Sequence, residues 1–224
     1  MTEAAGGFGV ALDGKPVRTP AKHPLVLPSR AAAEAVAAEW AAQGEHVVPD
    51  AMGLTRLANT AIDRVASQPG AVAAETAKYA ATDLLCYRAA EPAELAALQA
   101  ALWQPVLDWA AARFGARLIV ATGILPVEQP PESLAALARA LAALDPFHLT
   151  AVADLTGLCG SLLLALAVAE GRLSPDSAIE AALADENYQT RRWGEDEEAA
   201  ERRRRIARDI HVAARFAACL GALP

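Results

Sequence analysis

Paired cysteines are missing from this 224-residue chain: Cys86, Cys159 and Cys219 are odd in number and far apart, with no CxxC and no cysteine–histidine spacing. Neither a disulfide framework nor a zinc site is expected, and a reducing compartment suits such a chain. Positive charge is scarce. With 20 Lys and Arg against 27 Asp and Glu the net charge is -7, and that field repels a phosphate backbone, so nucleic acid is not an expected partner. The one long uncharged stretch, Leu155 to Ala169, lies between Asp154 and Glu170. It falls short of the roughly 20 residues a bilayer needs and reads as a core helix. The start, "MTEAAGGFG", has the plan of neither a signal nor a transit peptide. The expected location is the bacterial cytoplasm, or the mitochondrial matrix for a processed eukaryotic protein.

Catalytic signatures are equally scarce. There is no GxxxxGK[ST] loop and no GxGxxG between a strand and a helix, so no nucleotide and no other cofactor is expected. GxSxG, HExxH and EF-hand patterns are missing too, and His23, His46, His148 and His211 stand alone. Any active site would have to be assembled from distant parts.

What is present divides in two. Up to Ser29 short apolar runs alternate with Gly and Pro around an Asp13-Gly14 pair, a strong hairpin signal. Strands are expected at Phe8–Leu12 and Val17–Thr19, with a third at Leu25–Leu27 between two prolines. Ser29 then reads as an N-cap and Gly44 as a C′ residue, with Val36 and Trp40 one turn apart on a helix that covers the sheet. Leu54 to Val65 keeps helical period until "SQPG", where the boundary is placed: 1–68 as a β-rich α+β domain, 69–224 as a helical one. Beyond it the sequence is rich in Ala and Leu. Pro92 and Pro175 mark first helical turns, Ser174 a cap, and Pro105 an expected kink. A lone strand near 117–122 is expected to seek a partner in the N-terminal sheet. The fold class is α+β.

"YAATDLLCYRA", Tyr79 to Ala89, concentrates chemistry-bearing residues. Read as one helix it places Ala77, Ala81, Leu84 and Arg88 on one side and Tyr79, Asp83 and Cys86 on the other. Apolar groups on both sides imply burial, in which case Asp83 needs hydrogen-bond donors, with Tyr79 and Tyr87 a turn away on either side. A nucleophilic Cys86 would need a base, and no histidine is near in sequence. Buried scaffold is the reading adopted. The competing one is a dispersed active site around Asp83, Cys86 and Tyr87.

From Ala184 to Ile210 the chain is highly charged. Acidic residues after Gly194 suit a helix start, and Glu198–Arg202 and Glu201–Arg205 are spaced as i, i+4 pairs. Arg202 to Arg205 point all around the helix and make no one-sided basic stripe. Trp193, just before Gly194, is either a core plug or a partner anchor.

"ALDGKPVRTPAKHPLVLPS", "EWAAQ", "LTRLANTAID", "YAATDLLCYRA", "LWQPVLDWA", "GSLLLALAVAEGRLSPDSA" and "ENYQTRRWGEDEEA" together resemble, in order and over nearly the whole chain, one family. It comprises the assembly chaperones that hold the free alpha subunit of the F-type ATP synthase catalytic head in mitochondria and alphaproteobacteria. Members commonly carry a basic, aromatic segment before the first strand, and a proline where Gly53 stands here. The resemblance implies a small mixed N-terminal domain, a helical C-terminal one, and a non-enzymatic role, that of covering the alpha-subunit surface that later meets the beta subunit. It makes Glu186, Gln189, Trp193 and Gly194 the candidate partner contacts, and Trp40, Tyr79, Asp83 and Tyr87 scaffold. A generic helical adaptor is the third reading.

Overall fold

The computed structural model describes residues 2–223. Five short strands open the chain: β1 (Thr2–Ala4), β2 (Gly7–Gly9), β3 (Ala11–Leu12), β4 (Lys15–Pro16) and β5 (Val26–Leu27). An antiparallel sheet has the order β1-β2-β5, and β3 with β4 forms a hairpin. Its two turn residues are Asp13 and Gly14, at φ 49° and 78°, the positive values that a two-residue turn of this kind requires. The strand expected over Phe8–Leu12 is broken at Val10. That residue donates to Leu25 O and accepts from Val17 N at 2.9 Å, which bends the chain from one pair into the next. β4 ends at Pro16, so the strand expected at Val17–Thr19 does not form and only an isolated bridge joins Arg18 to Pro24; β1 is an additional edge whose Thr-Glu-Ala residues carry no strand pattern.

Helix α1 (Arg30–Ala41) starts where Ser29 Oγ accepts from Ala32 N at 3.0 Å. It buries Ala32, Ala33, Ala35 and Val36 and packs on β2 and β5, the expected cover for the sheet. Its end is not the expected glycine cap: Ala42 closes it in the right-handed region, and Gln43 Nε2 folds back to Glu39 O at 3.0 Å. Glu39 also reaches the next helix. Its carboxylate accepts from Leu54 N and Thr55 N, each at 2.8 Å, and from Thr55 Oγ1 at 2.7 Å. It thus supplies from α1 the anion that the N-terminus of α2 (Gly53–Thr60) favours.

α2 runs on as a π-helical turn over Ala61–Val65. There Asp63 accepts from Thr19 Oγ1 at 2.6 Å and Ala21 N at 3.0 Å, and it meets His23 Nδ1 at 2.9 Å, fastening the strand region to the helix. At Gly53 a Cβ would come within 2.5 Å of Val212 Cγ1 in the last helix, so the first turn of α2 lies directly against that helix.

The remaining helices are α3 (Pro69–Ala77), α4 (Ala93–Phe114), α5 (Pro131–Ala142), α6 (Pro146–Cys159), α7 (Leu162–Ala169), α8 (Pro175–Ala182), α9 (Ala184–Trp193) and α10 (Glu197–Leu220). α6 is the hub, packed on α3, α7, α10 and the π-helical turn. Every residue of α7 is buried, which is what a stretch apolar all round demands. Ser174 caps α8 through Ser177 N, and Pro175 takes its first position, as expected. Pro92 is the residue before α4 instead of a member of its first turn, and α4 continues through Pro105. Among the described residues no helix is long and apolar enough to cross a membrane. The architecture is α+β, and one buried cluster runs from Val10 and Leu27 through Leu57, Trp103 and Leu155 to Phe216.

The segment at 117–122 departs from expectation. Only β7 (Ala121–Thr122) is a strand, and it pairs in parallel with β6 (Tyr87–Arg88), not with the N-terminal sheet. Side chains take the place of a longer strand partner. Ser133 Oγ bonds both main-chain groups of Arg117, at 2.9 and 3.0 Å, and the Gln129 carboxamide bonds both of Ile119, at 2.7 and 2.9 Å.

Candidate functional site

The stretch from Tyr79 to Ala89 is not one helix. α3 gives way to a 3-10 turn over Lys78–Thr82, Asp83 is extended (φ -57°, ψ 133°), a second 3-10 turn covers Leu84–Cys86, and β6 follows. Asp83 breaks the helix because its carboxylate caps two turns at once. Oδ1 accepts from Leu85 N at 3.1 Å and Oδ2 from Leu163 N, at the start of α7, at 3.2 Å. It is fully buried, and its donors are main-chain amides and the Ser161 side chain instead of tyrosines. Tyr79 is exposed, while the hydroxyl oxygen of half-buried Tyr87 is sealed from solvent without a partner.

Burial pushes the Asp83 carboxyl up to about 6, against the opposing pull of Ser161 and the amides. The folded state therefore holds this proton at a pH where the unfolded chain, with an ordinary value of about 3.9, has lost it. Stability from this group is full below the unfolded value and falls as pH rises through the folded one. The urea midpoint is expected to lose this contribution between about pH 4 and about pH 6, and Asp83→Asn is expected to flatten that slope while lowering stability throughout, because its amide nitrogen faces a main-chain donor. His148, raised by its bond to Asp145 against the opposing effect of burial, acts in the same direction at higher pH. A slope as steep in Asp83→Asn as in the parent would assign the dependence elsewhere.

Cys86 is no nucleophile in this setting. Burial, then the Asp83 charge, push its thiol up to about 12, and burial does the same to Cys159, so neither forms thiolate near neutral pH. Mild alkylation of the native protein is expected to modify the partly exposed Cys219 and to reach Cys86 and Cys159 only after unfolding. Mass spectrometry of the modified peptides checks this, and fast labelling of Cys86 would restore the enzyme reading. Among the described residues, no three His, Cys, Asp or Glu side chains are grouped to hold a metal ion.

The candidate contacts Glu186, Gln189 and Trp193 all lie on α9, at spacings of three and four that set them along one stripe. Trp193 is 72% exposed, so it is not a core plug. Gly194 ends α9 at φ 93°, ψ 172°, a combination that a side chain resists. The expected pairs within α10 do not form. Arg202 reaches Glu186 at 2.8 Å instead, Arg203 bridges Thr190 and Glu195, and Glu201 takes Arg204 at 2.9 Å and Arg208 at 3.1 Å. Arg202 and Arg203 face α9, where acceptors are at hand, and they hold its exposed stripe in place. Trp40 is half-buried against the core, its Nε1 sealed without an acceptor.

Two further surfaces are not foreshadowed by any motif. A cleft of 860 Å³ between α2 and α10 sets Arg56, Arg64, Arg205 and Arg208 against Asp50, Asp63 and Asp209. A groove of 580 Å³ beside Tyr87 is mostly apolar, and next to it Ile124 and Leu125 are 94% and 79% exposed. The apolar residues between Gly123 and Pro126 are its one sequence signal.

The ordered α+β scaffold, inert in its buried thiols and carrying exposed tryptophan, isoleucine and leucine side chains, has the character of a protein-binding molecule. The family profile described as ATP12 chaperone protein matches residues 1–111. Among solved structures, Paracoccus denitrificans Atp12p is 44% identical with a TM-score of 0.93, and a point variant of it is 45% identical with a TM-score of 0.94; each comparison covers 98% of this chain and 94% of the other. The Atu1473 protein of Agrobacterium tumefaciens is 47% identical with a TM-score of 0.91, over 96% of this chain and 81% of its own. This chain belongs to the ATP12 chaperone family, the one to which its motifs pointed.

Proposed function

We propose that this chain assists assembly of the F-type ATP synthase in the bacterial cytoplasm by holding the free alpha subunit of the catalytic head. It covers the surface that later meets the beta subunit and catalyses no reaction. The observation that carries this reading is Trp193, a large aromatic left 72% exposed at the end of a braced helix. Exposed aromatics of this kind anchor interfaces, and polar neighbours form their rim. Trp193 is the anchor, Glu186 and Gln189 are the rim, and Gly194 sets the turn that leaves the indole free. The inert Cys86 disfavours the enzyme reading, and client choice separates a dedicated chaperone from a generic adaptor. The test is suppression of light scattering by unassembled alpha subunit without added nucleotide. Suppression at near-equimolar chaperone, with no effect on beta subunit, supports the proposal; equal action on both or on neither overturns it.

A further inference from the structure

β7 carries an open main-chain edge. Its register, Tyr87 with Ala121 and Arg88 with Thr122, and the bond from Gly123 N to Arg88 O turn the amides of Ala121 and Gly123 toward β6. Those of Val120 and Thr122 then face away, and among the described residues neither makes a hydrogen bond outside the ladder. Nearby main-chain groups are served by Gln129 at Ile119 and by Arg88 at Gly123, which sets this unpaired row apart.

The side chains follow the same pattern. From Leu118 to Leu125 no residue is charged, and the nearest interrupting residues are Arg117 and Pro126. Val120 is 40% exposed, besides Ile124 and Leu125. Soluble proteins ordinarily blunt such an edge with charge, proline or a cover, since it invites strand pairing. In the adjoining groove the charged groups are already engaged: Arg88 with Gln99 O and Gln104, and Asp185 with Gln99 Nε2 at 2.7 Å. Those bonds hold both side chains in place, and one charge of each sign gives the groove no net charge to select a charged ligand.

We propose that β7 is an augmentation edge, to which an extended, uncharged apolar segment of the unassembled client adds as a third strand while its side chains enter the groove beside Tyr87. Backbone bonds would supply affinity and the groove selectivity, as in other strand-addition complexes. The client, and not a second copy, is the occupant on two grounds. A second copy brings only the same two-residue strand, and the groove borders Asp185 in the first turn of α9, the helix that Trp193 ends. Eight residues of helix, about 12 Å, separate them, so one client can span both. The identity of that client rests on the chaperone reading above.

Hydrogen exchange of the whole protein tests the edge directly, alone and with either of two probes: unassembled alpha subunit, and a permanently unfolded carboxymethylated globular protein. Exchange at Val120 and Thr122 is expected to slow at least tenfold with bound alpha subunit. Val120→Pro, which removes an edge amide outside the β6 ladder, is expected to weaken capture about tenfold. Leu125→Asp, on a side chain 79% exposed, gives the same readout should the proline variant misfold. Alpha subunit bound with edge exchange unchanged overturns this proposal and spares the chaperone one. Protection by the unfolded protein without alpha-subunit binding does the reverse, and binding of neither overturns both. Protection that arises in the free protein with concentration, together with dimers in sedimentation, assigns the edge to a second copy and overturns it as well.

Discussion

Trp103→Ala is expected to lower the free energy of unfolding by about 3–5 kcal/mol, among the largest effects of any single truncation in the molecule. Trp103 lies in the middle of α4 and is 1% exposed. Its indole Nε1 donates to Ala181 O in α8 at 2.9 Å, and the Arg88 guanidinium stands 5.0 Å from its ring. Truncation therefore opens a large cavity, orphans a buried carbonyl and takes the aromatic face from the arginine that orients β6. Against a typical total of about 5–15 kcal/mol, the variant should populate unfolded chain at physiological temperature. Trp103→Phe, which keeps most of the volume and loses the N–H, should cost much less, nearer the ~1 kcal/mol of a hydrogen bond plus a small packing term. Urea unfolding of both variants provides the measurement. A cost below about 1 kcal/mol for the alanine variant would mean that the surrounding helices collapse into the space, and that α4 is not the fixed wall its burial implies.

The parts of the fold that were legible in sequence are those decided by neighbouring residues. The hairpin at Asp13-Gly14 needs only two residues tolerant of positive φ, Ser29 and Ser174 cap helices through amides three residues on, and α7 is buried because no face of it is polar. Distant partners defeat the same approach. Asp83 interrupts a helical pattern because one of its donors, Leu163 N, comes from 80 residues further along the chain. β7 is shortened because Ser133 and Gln129 satisfy the residues before it, and its parallel pairing with β6 follows from how α4 carries the chain between them. Arg202 and Arg205 have the spacing of partners for glutamates of their own helix, yet Arg202 turns to α9, as does Arg203. The candidate site was half legible: Glu186, Gln189 and Trp193 share a helix stripe that spacing alone reveals, whereas the exposure of Trp193 depends on what packs against α9. Burial of Cys86 was legible in the apolar residues around it, whereas the open edge of β7 depends on elements far away in sequence.

Replacing Trp193 by alanine is expected to weaken capture of the alpha subunit by about 2 kcal/mol or more, roughly a 30-fold loss of affinity. The melting temperature should hardly move. With 72% of the side chain already in solvent, truncation opens no cavity, and surface changes of that kind usually stay within about 0.5 kcal/mol. Glu186→Lys tests the rim separately. It breaks the 2.8 Å pair with Arg202 and sets like charges side by side, so it should loosen the α9–α10 brace and cost less in binding than loss of the anchor, while any stability change stays near the small value of an exposed pair. The two variants respond differently to salt: screening should relieve the Glu186→Lys defect and leave that of Trp193→Ala unchanged. Aggregation suppression and melting, measured together at low and high salt, separate anchor, brace and scaffold. A folded Trp193→Ala protein that protects the alpha subunit at parental levels would remove the α9 stripe from the interface, and the client would then have to be held elsewhere, with the uncharged β7 edge and its groove the next surface to test.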